Sequence, residues 1–323
     1  MQKRTIRKVT AAALLSMAFT AGGAAVSTGE PPVQVRSYEL QQFSSETPQA
    51  SADFGTPEAT AKFAEKAGFI DVVGVKLGMP LKTALDVLKA HNANLAMEPL
   101  AMPTYEALPG VTMTPLLTSK KNTNTSSNEE KEYVGLLVTE APSEPFVWGI
   151  WREVSYEKEQ SRPTVETIVA GLRKKYGQES VNGGIRLICM YDIQGQPVPT
   201  AKANEIMNKC VGTWTVGISM TPNQLQWGYF NRQIVGGYFH GSYGKDHTNG
   251  LCQSYSHVQA EYMAQAPMGK TSPPLVANVR VMAINRQLEA SGVTAAHTLL
   301  MREASKLADK RKGEAGKRDV PKF

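Results

Sequence analysis

The sequence lacks long apolar runs and recognisable catalytic motifs, and it has only three cysteines. After residue 25, no stretch reaches the roughly 18 apolar residues that a membrane-spanning helix needs, so we expect no membrane span. The sequence contains no phosphate-binding loop, no dinucleotide fingerprint and no G-x-S-x-G motif. Motifs therefore give no reason to predict a catalytic residue, a cofactor or a bound metal.

The first 25 residues have the features of an export signal. Four basic residues come first, a mostly apolar stretch from Thr10 to Thr20 follows, and small residues occupy positions 21–25. This order is typical of a secretory signal peptide that is cleaved near Ala25. No cysteine lies near that position, so we expect no acyl anchor. The interpretation places the mature chain in a bacterial periplasm or in the medium.

Most of the basic excess lies in this predicted signal. The whole sequence carries 35 basic and 29 acidic residues, whereas the part after residue 25 carries 31 basic and 29 acidic ones. Such a balanced chain gives no electrostatic reason to bind nucleic acid. We therefore expect no nucleic-acid partner.

Three cysteines in an oxidising compartment predict one disulfide and one remaining thiol. Cys189 lies in an alternating apolar run and is interpreted as a small buried hydrophobe. Cys210 follows a short helical stretch and Cys252 ends a glycine-rich segment, which favours a Cys210–Cys252 disulfide. A Cys189–Cys210 disulfide is the alternative.

Apolar periodicity predicts both strands and helices after residue 68. Residues 70–77 are predicted to be one strand, which a turn at Gly78-Met79-Pro80 connects to a helix that ends near His91. Residues 118–131 are polar and predict a long exposed hairpin loop. Further strands are predicted at residues 95–102, 111–117, 133–139, 146–155 (a central strand), 185–193, 212–220, 226–229, 254–262 and 275–283, and further helices at residues 57–66, 165–176, 203–208 and 294–310, the last with Thr294 as its N-cap.

These elements predict an α+β fold in which helices pack on one face of a largely antiparallel sheet. We divide the chain into the signal peptide (residues 1–25), a flexible lead segment (26–67), a first α+β domain (68–193), a second α+β domain (194–312) and a basic tail (313–323). The second domain is either separate from the first or continuous with it.

The richest polar cluster lies between residues 240 and 257. Two imidazoles with a thiolate or carboxylate are a zinc ligand set, but the spacing matches no common zinc pattern. Serine, histidine and aspartate are also the residue types of a hydrolase triad, without the usual motif around the serine. A glycine- and tyrosine-rich loop that happens to carry histidines is the simpler interpretation. The cluster comprises His240, Ser242, Asp246, His247 and His257.

Carboxylates elsewhere give no convincing acid–base couple. Asp71 lies at the start of a predicted strand, and Glu153 is predicted to form an exposed ion pair with the adjacent Arg152. The tryptophans lie on predicted strands, where aromatic side chains usually belong to the core.

The segment from Phe69 to Pro80 (FIDVVGVKLGMP) resembles an element of exported bacterial proteins. In that element a short strand ends in Leu-Gly-Met, and a helix begins within a residue or two. BamE/SmpA-like outer-membrane assembly lipoproteins and inhibitor proteins of the β-lactamase-inhibitor type are similar in this element. Residues 167–177 and 320–323 also resemble periplasmic proteins with no assigned activity. The resemblance implies an exported envelope protein, and no functional residue is carried over from it.

The sequence as a whole favours a non-enzymatic, exported binding module for a protein or an envelope component. Export without an anchor and the lack of a convergent catalytic set are the reasons. One alternative is a periplasmic hydrolase, with or without a metal, that uses residues 240–257. Another alternative is a secreted inhibitor that presents residues 118–131 or 235–250 to a target enzyme.

Overall fold

The computed structural model describes residues 54–99, 116–119, 123–124, 130–210, 250–265 and 273–316. All of these residues belong to one compact unit, Thr47–Phe323. The predicted signal peptide, the predicted strands at residues 212–220 and 226–229, and the chain after residue 316 lie outside the described residues.

Two antiparallel sheets organise the described part of the chain. The smaller is a hairpin of β1 (Asp71–Val72) and β2 (Val75–Lys76). The larger has nine strands: β3 (Met97–Pro99), β4 (Leu116–Ser119), β5 (Thr123–Asn124), β6 (Glu130–Val138), β7 (Val147–Tyr156), β8 (Val181–Asn182), β9 (Arg186–Asp192), β10 (Tyr255–Gln265) and β11 (Leu275–Asn285). Their order in the sheet is β3-β4-β6-β7-β11-β10-β9-β8, with β5 paired to β6.

Helices lie between these strands, so the predicted α+β class with an antiparallel sheet is confirmed. The helices are α1 (Pro57–Lys66), α2 (Leu81–His91), α3 (Val165–Tyr176), α4 (Thr200–Lys209), α5 (Gly250–Gln253) and α6 (Arg286–Ala315), and a 3₁₀ turn spans Glu159–Ser161. Caps set the bounds of some of them. The Thr164 hydroxyl accepts the N–H of Thr167 at the start of α3, and Gly177 ends that helix with φ 78°.

The predicted central strand is confirmed as β7, which pairs with β6 on one side and with β11 on the other. Ile150 and Trp151 are neighbours on β7 and therefore point to opposite faces, and both are buried. β10 in turn pairs with both β11 and β9. Strands from residues 68–193 and from residues 194–312 therefore share one sheet.

The predicted single strand over residues 70–77 is wrong, because the chain reverses within it to form the β1–β2 hairpin. Val73 and Gly74 have φ values of 48° and 85°, a conformation typical of a two-residue hairpin turn. The uninterrupted apolar pattern hid this turn. Gly78 follows with φ 80°, and a Cβ atom there would lie 1.9 Å from the carbonyl oxygen of Ala64. Glycine is therefore required at that position.

Helices α2 and α3 pack on the same face of the large sheet. His91, at the end of α2, contacts Glu132 of β6, and Leu172 of α3 lines a small cavity beside Ala260 of β10. The strand register through β7 and β11 aligns Glu132 with Tyr262, two residues from Ala260. Because alternate residues of a strand share a face, both helices cover one side.

Helix α4 packs on the opposite face. Its Ile206 belongs to a second apolar cluster that includes Met190 of β9 and Tyr255 of β10. The neighbouring residue Cys189 instead lines the cavity beneath α3. Neighbouring residues on a strand point in opposite directions, so the helices of the described chain cover both faces of the sheet. The prediction that helices pack on one face is therefore corrected, because α4 buries its apolar side on the other face.

The last helix begins earlier than predicted. Asn285 is the N-cap, because its Oδ1 accepts the N–H of Leu288 at 2.7 Å. Thr294 is therefore not the cap, and its hydroxyl donates to the carbonyl oxygen of Ala290 within the helix. Polar residues and Gly292 interrupt the apolar pattern over the first two turns, which concealed them in the sequence.

The predicted helix at residues 57–66 is confirmed as α1. It was placed in a flexible lead segment, but it packs on the folded unit: Thr60 Oγ1 lies 2.9 Å from Ser291 Oγ in α6. The loop predicted at residues 118–131 contains the end of β4, all of β5 and the start of β6. Its polar composition therefore did not exclude strand pairing.

Candidate functional site

A buried carboxylate holds an arginine and a histidine side chain beside the end of α2. The Glu132 side chain is 1% exposed, whereas those of His91 and Arg152 are 31% and 30% exposed. Arg152 Nε donates to Glu132 Oε1 at 2.6 Å, and His91 Nε2 lies 3.0 Å from the same oxygen. Asn92 Nδ2 donates to Oε2 at 3.1 Å. We call these four residues the Glu132 site.

Helix α2 is fixed at both of its ends. At its start, the N–H of Leu81 donates to the carbonyl oxygen of Pro145 at 2.8 Å, which attaches the helix to the segment before β7. Ala84 and Leu88 bury its apolar face. The N–H of Asn92 then donates to the carbonyl oxygen of Leu88 and ends the helix. The last turn is held against β6, because His91 and Asn92 both contact Glu132.

The strand register brings Arg152 to Glu132. Glu132 lies opposite Val154 in the β6–β7 pair, so Arg152 is its diagonal neighbour on the same face. Long side chains reach across such a diagonal. The predicted exposed pair of Arg152 with Glu153 is wrong, because adjacent strand residues point to opposite faces. Glu153 instead accepts from Arg280 Nε at 3.1 Å.

The Glu132 carboxylate is ionised at neutral pH. Burial by itself raises its pKa, but the charge of Arg152 and the hydrogen bonds from its three partners outweigh burial and hold the pKa below its ordinary value. Arg152 uses only Nε in this contact, and within the described part of the chain its terminal amino groups make no hydrogen bond. The site therefore combines a buried acceptor with a partly exposed arginine whose terminal amino groups make no hydrogen bond to a described residue.

The predicted polar cluster is only partly within the described residues. His257 lies in β10 and is buried. Burial and, secondly, the positive charge of Arg286 hold the pKa of its ring well below the usual value, so the ring is neutral. The zinc and hydrolase interpretations stay predictions, because the other members of the cluster lie outside the described residues: His240, Ser242, Asp246 and His247.

A second buried ion pair lies at the start of α6. Arg286 Nη1 donates to Glu289 Oε2 at 2.5 Å, and both side chains are buried. Nearby, Asn285 Nδ2 donates to Ser256 Oγ at 3.0 Å. This pair was not predicted from the sequence, although its spacing of three residues is the spacing of neighbours on a helix. The Asn285–Ser256 contact joins the start of α6 to β10, next to His257.

The predicted disulfide between Cys210 and Cys252 is confirmed, with the two Cα atoms 5.6 Å apart. Cys189 is a buried free thiol, so the alternative pair with Cys210 is wrong. Burial raises the pKa of the Cys189 thiol to about 11, which keeps it protonated and unreactive. The disulfide joins the two ends of residues 211–251, the segment that carries most of the predicted polar cluster.

The described ranges contain no group of three or more His, Cys, Asp or Glu residues that could hold a metal ion. Asp71, at the start of β1, accepts from Lys175 Nζ at 2.6 Å. Burial by itself raises the pKa of Asp71, and the hydrogen bond from Lys175 contributes to lowering it below its usual value.

Among the helices in the described ranges, none is long and apolar enough to cross a bilayer.

Comparison with known proteins found no relative. No protein-family model matches the chain, and neither the curated proteins nor the solved structures contain a match. The likeness of residues 69–80 to assembly lipoproteins and inhibitor proteins therefore stays a prediction from the sequence.

No sequence pattern pointed to the Glu132 site. His91 was predicted only to end a helix, and Arg152 was predicted to pair with Glu153. Glu132 lies beside Lys131 at the charged start of β6, and Arg152 is followed by Glu153 in β7, so neither is an isolated charge in an apolar run. A charge in a buried strand needs a partner, and that partner is found on the neighbouring strand.

Proposed function

We propose that this chain is an exported binding protein whose ligand is another protein or a component of the cell envelope. The Glu132 site is the observation that carries the proposal. Its buried carboxylate fixes the side chains of Arg152 and His91 while each remains about one-third exposed. Donors that are already ordered lose less conformational entropy when a ligand binds, which favours recognition.

The proposed location is a periplasm or the medium. The charged, apolar and small-residue order of the first 25 residues supports it. The disulfide between Cys210 and Cys252 supports it as well, because disulfides persist mainly in oxidising compartments.

Intact-mass spectrometry after cell fractionation tests the location. The full chain is produced in a bacterium, and its mass and thiol content are measured in the envelope and interior fractions. We expect a chain that begins after Ala25, in the envelope fraction or medium, with one reactive thiol after unfolding. An unprocessed chain in the cell interior with three reactive thiols would contradict the proposed location.

Photo-crosslinking in intact cells tests the binding function. A photoreactive residue at Lys89, which is exposed in the last turn of α2, samples the neighbourhood of the Glu132 site. The matched position is Lys202, which is exposed on α4 at the opposite face. We expect a discrete adduct from position 89 and none from position 202. Equal adduct patterns at both positions, or no adduct at position 89, would contradict the proposal.

A further inference from the structure

We infer that the Glu132 site binds an oxyanion, meaning a phosphate or carboxylate group carried by the ligand. The inference rests on the proposed binding function and adds the chemical class of the ligand. An arginine held through Nε alone still presents its terminal amino groups as a planar fork. Such a fork matches two oxygens of a phosphate or carboxylate in a bidentate contact.

One further donor lies near the Arg152 guanidinium. The hydroxyl of the half-buried Tyr156 lies within electrostatic range of Arg152, and it makes no hydrogen bond to a described residue. An anionic group that approaches Arg152 therefore meets the guanidinium fork and a hydroxyl that can donate to it.

The Glu132 carboxylate does not block this approach. It is almost completely buried, while Arg152 and His91 are each about one-third exposed, so a solute meets the donors first. Its charge is compensated by Arg152 at 2.6 Å. In the proposed site Glu132 positions the side chains of Arg152 and His91. Residues behind a binding site commonly hold the contacting side chains in this way.

The chain contains a matched control for this geometry. Arg186 Nε donates to Glu261 Oε1 at 2.5 Å, the same type of contact between two neighbouring strands. There the arginine is 48% exposed, and no histidine shares the carboxylate in the described structure. If anions are attracted only by positive charge in general, they contact both arginines. If the Glu132 site binds them specifically, they contact Arg152 alone.

Side-chain NMR with the full chain tests the inference. Sodium phosphate and sodium acetate are titrated separately into ¹⁵N-labelled protein at low ionic strength, and the arginine Nε–H signals are followed. We expect a saturable shift of the Arg152 signal with at least one of the two anions. The anion that binds with the higher affinity identifies the preferred group. Arg152→Gln is expected to lower the affinity at least tenfold, while Arg186→Gln changes it less than twofold.

A second variant keeps the test decisive if Arg152→Gln does not fold. Arg152→Lys keeps a positive charge beside Glu132 but lacks the planar fork, and we expect it to weaken anion binding at least threefold. No saturable shift in the wild-type protein, equal effects of Arg152→Gln and Arg186→Gln, or an unchanged affinity in Arg152→Lys would overturn the inference. If position 89 still gives a discrete adduct in cells, the binding function stands and only the ligand class is wrong.

Discussion

Glu140, in the turn between β6 and β7, is predicted to make the protein less stable as the pH rises. Burial raises the pKa of its carboxyl group from 4.5 to about 7. Its Oε1 atom is buried and has no hydrogen-bond partner in the described structure. The folded protein therefore holds the proton on Glu140 over a pH range in which the unfolded chain has already released it.

The size of the effect follows from the difference between the two pKa values. One pKa unit corresponds to about 1.4 kcal/mol, so the shift from 4.5 to about 7 corresponds to about 3 kcal/mol. A raised pKa in the folded state means that this stability is fully present below pH 4.5 and is lost as the pH rises through 7. Glu140→Gln removes this dependence, because the amide stays neutral at every pH. The variant should match the wild type near pH 4 and exceed it by about 3 kcal/mol at pH 8.

Urea denaturation at pH 4, 6 and 8 measures this difference directly. The wild type, Glu140→Gln and Glu144→Gln are compared, since Glu144 is an exposed carboxylate in the same turn. We expect the Glu144 variant to follow the wild type at every pH. A constant difference between Glu140→Gln and the wild type from pH 4 to pH 8 would refute the reasoning.

Three further predictions concern stability, each measured by the urea midpoint. Gly78→Ala should destabilise the fold by about 3 kcal/mol or more, because the new Cβ meets a backbone carbonyl oxygen. The control Gly171→Ala, at an exposed position of α3, should stabilise the fold by up to about 1 kcal/mol. Cys252→Ser should cost about 4 kcal/mol for a loop with a sequence separation of 42, and a reducing agent should bring the wild type to the same stability. Asn285→Ala should cost about 1 kcal/mol through the lost N-cap.

Much of the fold could be predicted because its elements have local causes. The apolar face of α2 and the Thr164 and Gly177 ends of α3 are each set by a few neighbouring residues. The central position of β7 followed from apolar side chains on both of its faces. The Cys210–Cys252 disulfide was favoured because the apolar run around Cys189 indicated a buried thiol, although a Cys189–Cys210 pair stayed open as the alternative.

Other features depend on contacts that a local pattern does not contain. The turn at Val73 and Gly74 lies inside an apolar run, so periodicity alone joined two strands into one. Glu132 and Arg152 come together only through the β6–β7 register, and His91 joins them from a helix 41 residues earlier. Nearest-neighbour reasoning therefore gave Arg152 the wrong partner.

Crosslinking in cells with charge variants tests the central claim most directly. A photoreactive residue at position 89 is combined with Arg152→Gln or with the control Arg186→Gln. If the Glu132 site recognises an anionic group of an envelope ligand, the adduct disappears in the Arg152 variant and remains in the Arg186 variant. The same adduct at equal yield in both variants would contradict the claim.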